Sequence, residues 1–559
     1  MIDTATAPSP VAERRAPRGR GGRLSRAFVL VSAEAVVSVF AALLLTYLGK
    51  RLHVNPLSRI GQVSGLAAIQ LRLLLLLAVT VLLYLFLSRR WPGAAVNIGA
   101  ATVAGLATGV TAAANVVALR GTTWPLNGYG GDIGNLQSWA FNVIDGVPLP
   151  EEYPPGFPNL LAFVAQVFFD GHVAFAVKWV MIGFLAISGP VAYLAWRMLL
   201  PPLWALGIGL TSALPLFELY KPYSPLVLVV VIPVFAKLVQ VTQRSALLSR
   251  RQALAVGAGL GALLAGLFLM YAGWFVWSAV GVVVLFAIVL TGLARSGGLR
   301  ALWQGMLPPL AATGVFLLLA GPYMVRLLGV SGSTKDAYFY FDTSTDPAYF
   351  AMWGSSLPGP QRAAGLPPLG ELGGVGLFAI VLVIGLAVSL ALALRQPMVL
   401  TLAACTASAF LLRYWYASHM ERDDIVQLYP RTSIQITYCL LALTGLAVYY
   451  SVQRIRDWSR SHETLPLPRR SGKTPARRSL IVGALCGLGL LYGMAGSATA
   501  DAYMPKDPAK VPESLGNLTW FSHTLQQPNG KCPAYAPRDE CGTFTLPKRP
   551  MPQRPTGQP

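Results

Sequence analysis

Uninterrupted apolar runs of roughly twenty residues recur along this chain, each long enough to cross the hydrocarbon core of a bilayer as a helix. Inside lipid no water satisfies the peptide groups, so only helices and closed barrels can span. Barrel strands alternate apolar and polar side chains, and these runs do not. The sequence therefore predicts an all-α polytopic membrane protein with about thirteen transmembrane helices (roughly 11–13). Among the predicted spans are Leu71–Ser88, Pro202–Phe217, Trp274–Leu293, Leu302–Tyr323 and Val375–Leu394, while Leu160–Phe169 reads as re-entrant or interfacial. Composition agrees: of 559 residues, 54% are hydrophobic and 12% charged, about half the charge of a soluble domain.

A net charge of +21 would suit a nucleic-acid partner, but the Lys and Arg residues gather at the ends of apolar runs, where orientation in a membrane puts them. No nucleic-acid partner is expected. Residues 1–26 hold Arg14, Arg15, Arg18, Arg20, Arg23 and Arg26 with almost no apolar content, and read as a disordered cytoplasmic tail. With that tail inside, Arg89, Arg90, Arg197, Arg244, Arg250, Arg251, Arg295, Arg300 and Arg395 share its side. Lys50, Arg51, Arg59 and Arg72 are the exception, falling outside.

The long loops then lie opposite the basic ones, as extracytoplasmic segments. The organisation is a basic tail over 1–26, a transmembrane core over 27–499 and a short Pro-rich extracytoplasmic tail over 500–559. Cys532 and Cys541, nine residues apart in that tail, read as a disulfide in an oxidising compartment. Cys405, Cys439 and Cys486 lie in apolar runs as packing residues.

Carboxylates are scarce, 23 in all, and they concentrate in those long loops. The first reads N-G-Y-G-G-D-I-G-N from Asn127 and E-E-Y-P-P-G-F-P from Glu151. Asp132, ringed by glycines that admit close backbone approach, is a candidate general base for a sugar hydroxyl. Capping or turning the following helix is the structural alternative. Asn135, Glu151 and Tyr153 are candidate substrate contacts on the same loop. The second loop interleaves Lys335, Asp336, Asp342 and Asp346 with tyrosines, a mixture equally suited to carbohydrate or to an interfacial helix. The third offers His419, Arg422 and Arg431 to a phosphate, Arg through its bidentate fork. Glu421, Asp423 and Asp424 would hold those cations or bind a divalent metal; no cofactor is otherwise indicated. A Walker loop, zinc spacing and a nucleophile elbow are missing, which argues against ATP-driven transport and serine hydrolysis.

Three stretches carry a resemblance: G-G-D-I-G-N with E-E-Y-P-P-G-F-P, F-D-T-S-T-D-P-A-Y-F followed by L-P-P-L-G-E-L-G-G-V-G, and Q-L-Y-P-R-T. They resemble the actinobacterial galactan arabinofuranosyltransferase family within the GT-C class of membrane glycosyltransferases, whose members tend to have a larger C-terminal part. The resemblance implies decaprenyl-phosphate-arabinose as donor and a galactan chain as acceptor. It also implies an inverting transfer with Asp132 as base, with Arg422, Arg431 and Lys335, then His419, as cations for the leaving phosphate. The expected location is the plasma membrane. The rival readings are a polyprenyl-phosphate mannosyltransferase, a secondary transporter or lipid flippase, and a non-catalytic scaffold of cell-wall assembly. A transporter would place ionisable residues near mid-membrane, whereas Glu34, Lys178, Lys237 and Arg413 fall nearer span ends.

Overall fold

A computed structural model describes residues 20–330, 377–423, 431–461, 473–512, 514–537 and 541–542. They form helices α1 (Arg20–Lys50), α2 (Arg59–Leu87), α3 (Pro92–Ala118), α4 (Gly131–Ile144), α5 (Gly156–Phe168), α6 (Val173–Arg197), α7 (Pro202–Ala213), α8 (Tyr223–Gln243), α9 (Arg250–Met270) and α10 (Gly273–Val330). After these come α11 (Leu377–Ala393), α12 (Pro397–Ser418), α13 (Met420–Asp423), α14 (Thr432–Ser461), α15 (Lys473–Ala502) and α16 (Gly516–His523). No β-strand occurs among the described residues, only an isolated bridge between Leu525 and Gly542. Ten of the described helices are long and apolar enough to cross a membrane, and three shorter apolar helices accompany them, Gly156–Phe168, Pro202–Leu216 and Phe378–Ala393. The chain is an all-α, multi-pass membrane protein.

The 58-residue α10 is two crossings rather than one. Gly298, at φ 64° and ψ −163°, interrupts the helical backbone, a conformation that glycine adopts without a Cβ penalty. Beyond it the chain doubles back and Gly305 packs on Leu293. The halves coincide with the predicted spans Trp274–Leu293 and Leu302–Tyr323.

Helix α3 is the hub, buried along almost its whole length. Its small residues let neighbouring backbones close in: a Cβ on Gly105 would collide with the Ser38 carbonyl of α1, and one on Gly189 of α6 with the Ala104 carbonyl. Small residues at helix crossings are what packing in lipid favours, where water supplies no hydrophobic drive between spans.

Polar groups inside the bundle are tied. Glu34 is buried and bound by Arg197 at 2.8 Å, Tyr193 at 2.7 Å and Asn97 at 2.7 Å, which joins α1, α3 and α6 at one end of the bundle. Lys237 donates to the Met198 carbonyl at 3.1 Å near that same end. Lys178 donates to the carbonyls of Leu119 (2.8 Å) and Thr122 (2.7 Å), completing the C-terminus of α3 at the other end. Arg413 is enclosed and donates to the hydroxyls of Thr432 and Ser433.

Where the sequence predicted a span from Leu71, the helix begins twelve residues earlier at Arg59. Ser58 caps it, accepting from the Gly61 amide at 3.0 Å. The polar residues extending it face the C-terminal tail: Arg59 pairs with Asp501 at 3.0 Å and Gln62 donates to the Pro505 carbonyl at 2.7 Å. Three of the anomalous basic residues, Lys50 at the end of α1 and Arg59 and Arg72 in α2, therefore belong to helices rather than a loop, and a tail carboxylate answers Arg59.

Candidate functional site

The turn before α4 is built to present the first residues of that helix. Asn127 and Gly128 both have positive φ (64° and 57°), and the Gly130 amide closes the turn on the Asn127 carbonyl at 2.8 Å. Gly131 (φ 53°) starts the helix, and Asp132 stands in its first turn. A Cβ at Gly131 would meet the Tyr220 hydroxyl, which itself donates to the Gly130 carbonyl at 3.2 Å. Asp132 makes no cap. Its Oδ2 accepts from Lys221 Nζ at 2.7 Å, across to the short connection between α7 and α8. Carboxylate charge in a helix's first turn also faces the positive end of the helix dipole.

The two partners differ in access. Asp132 keeps 42% of its side chain exposed and Lys221 only 12%, so the carboxylate is reachable while the ammonium is nearly enclosed. Lys221 also lies 5.9 Å from the ring centre of Tyr223 and 6.0 Å from that of Tyr271. Burial alone would depress its pKa. The oxygens of Tyr153, Tyr271 and Asp132 outweigh that and hold it above the ordinary lysine value, so the site keeps a fixed positive charge.

A ring of groups surrounds this pair. The Tyr153 and Tyr223 hydroxyls share a 2.5 Å hydrogen bond. Tyr153 packs on Trp139 of α4 with ring centres 3.9 Å apart, and Tyr223 stacks on Phe157 of α5 at 4.0 Å. Burial pushes the phenols of Tyr153 and Tyr220 up. Arg431, at the start of α14, donates to the Tyr271 hydroxyl at 3.2 Å. Glu218 completes the cleft. Its carboxyl pKa is raised by the dense protein around it and by Asp132, and lowered by Lys221 and Arg431, though its surface stays open to solvent. Tyr323 of α10 donates to the Glu152 carbonyl at 3.1 Å, tying the Pro-rich loop to the same end.

The residues singled out in the sequence thus separate by place. Asp132, Tyr153 and Arg431 come together in one cleft. Asn135 is exposed one turn along α4, and Glu151 is exposed on the loop. His419 is bound to its own helix, to the Trp415 carbonyl at 2.6 Å and Ser418 at 3.0 Å. Arg422 pairs with its neighbour Asp423 at 2.7 Å, which raises the Arg422 pKa and lowers that of Asp423. Lys335, Asp336, Asp342 and Asp346, with Asp424, lie outside the described residues. Among the described residues no three His, Cys, Asp or Glu side chains converge as a metal site.

Lys221, Glu218, Tyr223 and Tyr271 were not marked by the sequence reading. The signal was present: F-E-L-Y-K-P-Y-S-P places a carboxylate and an ammonium between two apolar spans in a chain with few charges. A preference for long loops passed over a short one.

The tail is bound to this turn. Cys532 and Cys541 are joined, with Cα atoms 5.6 Å apart. The Asn127 amide donates to the Leu518 carbonyl at 3.0 Å and the Gly128 amide to Ser522 Oγ at 3.2 Å. Ser522 Oγ donates to the Pro125 carbonyl at 2.6 Å, Trp124 Nε1 to the Gln526 carbonyl at 3.0 Å and the Ala534 amide to the Gly121 carbonyl at 3.0 Å. His523 is enclosed, with Nε2 2.8 Å from the Ala118 carbonyl.

An apolar groove of about 510 Å³ runs between α8, α9 and both halves of α10, lined by Phe235, Leu264, Phe275, Phe286, Leu290 and Phe316. Phe275, in the first turn of α10, lies four residues after Tyr271, which stands in the break between α9 and α10, and the span from Phe275 to Leu290 covers about 22 Å of helix. The groove therefore starts within a few residues of Tyr271 and runs along α10.

No protein-family model matches the chain, and no curated protein matches it in sequence.

Proposed function

We propose that this chain is a membrane glycosyltransferase of the GT-C type. It moves arabinofuranose from decaprenyl-phosphate-arabinose to a galactan acceptor at the extracytoplasmic face of the plasma membrane, with its basic N-terminal tail in the cytoplasm. The observation that carries the reading is a solvent-accessible carboxylate, Asp132, held 2.7 Å from a nearly enclosed ammonium, Lys221, in a chain that also carries an apolar groove between α8, α9 and α10.

Each part has a task. The prenyl chain lies in the groove and its phosphate rises into the cleft. There the phosphate competes with Asp132 for Lys221 and meets Arg431 as a second cation. That exchange frees the carboxylate to take the proton of the acceptor hydroxyl. The hydroxyl oxygen forms the new bond to the anomeric carbon as the bond from that carbon to the phosphate oxygen breaks. The electron pair leaves with the polyprenyl phosphate and the anomeric carbon inverts. Lys221 and Arg431 stabilise the charge that develops on the phosphate, in a setting where fixed donors count for more than in water. The tying of Glu34, Lys178, Lys237 and Arg413 to protein partners favours this reading over a transporter, whose midplane charges would have to meet a substrate.

The test is transfer. Membranes containing the full chain, beside membranes lacking it, are supplied with radiolabelled polyprenyl-phosphate arabinose or polyprenyl-phosphate mannose and a galactan acceptor. Chain-dependent incorporation of arabinose is expected. Incorporation from mannose alone would replace the sugar and keep the class, and incorporation from neither would overturn the reading.

A further inference from the structure

A second cavity, of about 740 Å³, opens where the tail meets the turn before α4, lined by Tyr129, Trp520, Phe521, Thr524, Asp507 and Lys510. We infer that it is a binding subsite for a neutral oligosaccharide, the stretch of acceptor chain beyond the sugar being modified. Its role as an acceptor subsite rests on the reading of Asp132 above.

Three observations support it. The first is chemical. Carbohydrate presents apolar C–H faces and a rim of hydroxyls, and this cavity offers three aromatic rings beside a carboxylate, an ammonium and a hydroxyl. The groove between α8 and α10 is lined almost wholly by apolar side chains and suits a lipid instead. Two of the rings are held in place: Tyr129 lies 5.7 Å from Phe521 and 6.2 Å from Trp124, centre to centre. Such amphipathic faces bind with little loss of side-chain freedom.

The second is position. Tyr129 is three residues before Asp132, so their Cα atoms are at most about 11 Å apart. Cavity and cleft thus flank one turn, which is the relation a polymer needs to lie in one while its end reaches the other.

The third is rigidity. The backbone bonds from Asn127 and Gly128 to Leu518 and Ser522 fix α16 to that turn. Asp507 is set by its own turn, its Oδ1 accepting from the Ala509 amide at 3.0 Å. The site is therefore formed before any ligand arrives, which lowers the ordering cost of binding.

The experiment measures binding directly, without donor. The full chain, purified in detergent, is titrated with short galactan and mannan oligosaccharides by calorimetry, alongside Trp520→Ala, Trp520→Phe and Lys510→Ala. Each variant is checked for an intact Cys532–Cys541 link and an unchanged melting profile. Trp520→Ala should weaken oligosaccharide binding about tenfold, with Trp520→Phe recovering most of it. In a transfer assay, Trp520→Ala should raise the acceptor KM and leave the donor KM unchanged. Equal binding by a folded Trp520→Ala, or binding of neither oligosaccharide by the unaltered chain, overturns the subsite. Oligosaccharide binding that Trp520→Ala weakens in a chain with no transferase activity keeps the subsite and removes the proposed reaction.

Discussion

Lys221 Nζ stands 2.7 Å from Asp132 Oδ2, and the two residues reach each other from different parts of the chain, 89 positions apart. The pair joins the turn of α4 to the α7–α8 connection, and it divides labour: the carboxylate faces solvent and the ammonium faces protein.

Asp132→Asn keeps size and shape and removes the basic oxygen. Transfer should fall by roughly 10²–10⁴-fold, the span usual for loss of a general base, with the protein made and inserted at normal level. Initial rates in membranes matched for protein content check this, and near-normal rates would remove Asp132 from the role.

Lys221→Met should lower kcat by about 10²-fold through loss of one fixed charge at the leaving phosphate. Lys221→Arg should recover part of that, since charge returns with a different shape. Because the Lys221 pKa lies above the ordinary lysine value, its contribution to stability is fully present below that ordinary value and is lost only as pH rises through the folded pKa. Thermal melts of unaltered chain and Lys221→Met should therefore differ at neutral and mildly alkaline pH. They should converge under strongly alkaline conditions.

Gly131→Ala tests the turn. Its φ of 53° strains any residue with a Cβ, and that Cβ meets the Tyr220 hydroxyl. The strain is about 1–2 kcal/mol. Activity should drop by more than stability does, since Asp132 is the next residue. Equal losses in a melt and a rate assay would show the turn to be structural only.

His523 gives the tail a pH dependence. Burial, together with the nearby Lys178 ammonium, pushes its pKa down to about 4 against the pull of its bond to the Ala118 carbonyl. The unfolded or undocked tail binds a proton near the usual histidine value, so docking is favoured above that value and loses up to ~3 kcal/mol as pH falls toward the folded pKa. Hydrogen exchange across α16 should quicken between pH 6.5 and 4, and His523→Gln should flatten the dependence. Exchange that is indifferent to pH after correction for the intrinsic rate would rule this out.

The spans were legible because lipid imposes length and continuity on them, and the doubled α10 matched two separate predicted runs. What the sequence could not show was convergence. Asp132 carried its own signal in a glycine-rich acidic loop. Lys221 and Tyr271 sit in connections of a few residues, and only the packing of α9 on α5, and of Tyr223 at the head of α8 on Phe157, brings them to it. The reach of α2 to Arg59 was hidden for a related reason. Its added first turns carry Arg59 and Gln62 toward the tail rather than lipid, and hydropathy reads such polar residues as loop.

The bonds from Thr122, Trp124 and Gly128 to α16 and its flank cross 394–402 positions of sequence. A ribosome making this chain completes the turn before α4 early and supplies its brace only about 400 residues later. Through most of synthesis the turn at Asp132 must stand without that support, and it is secured when the last span has entered the membrane and the tail has folded back. A chain truncated after Ala502 should insert as many spans as the complete one and yet leave this turn loose. Synthesis past α16 is therefore a checkpoint on the site's assembly.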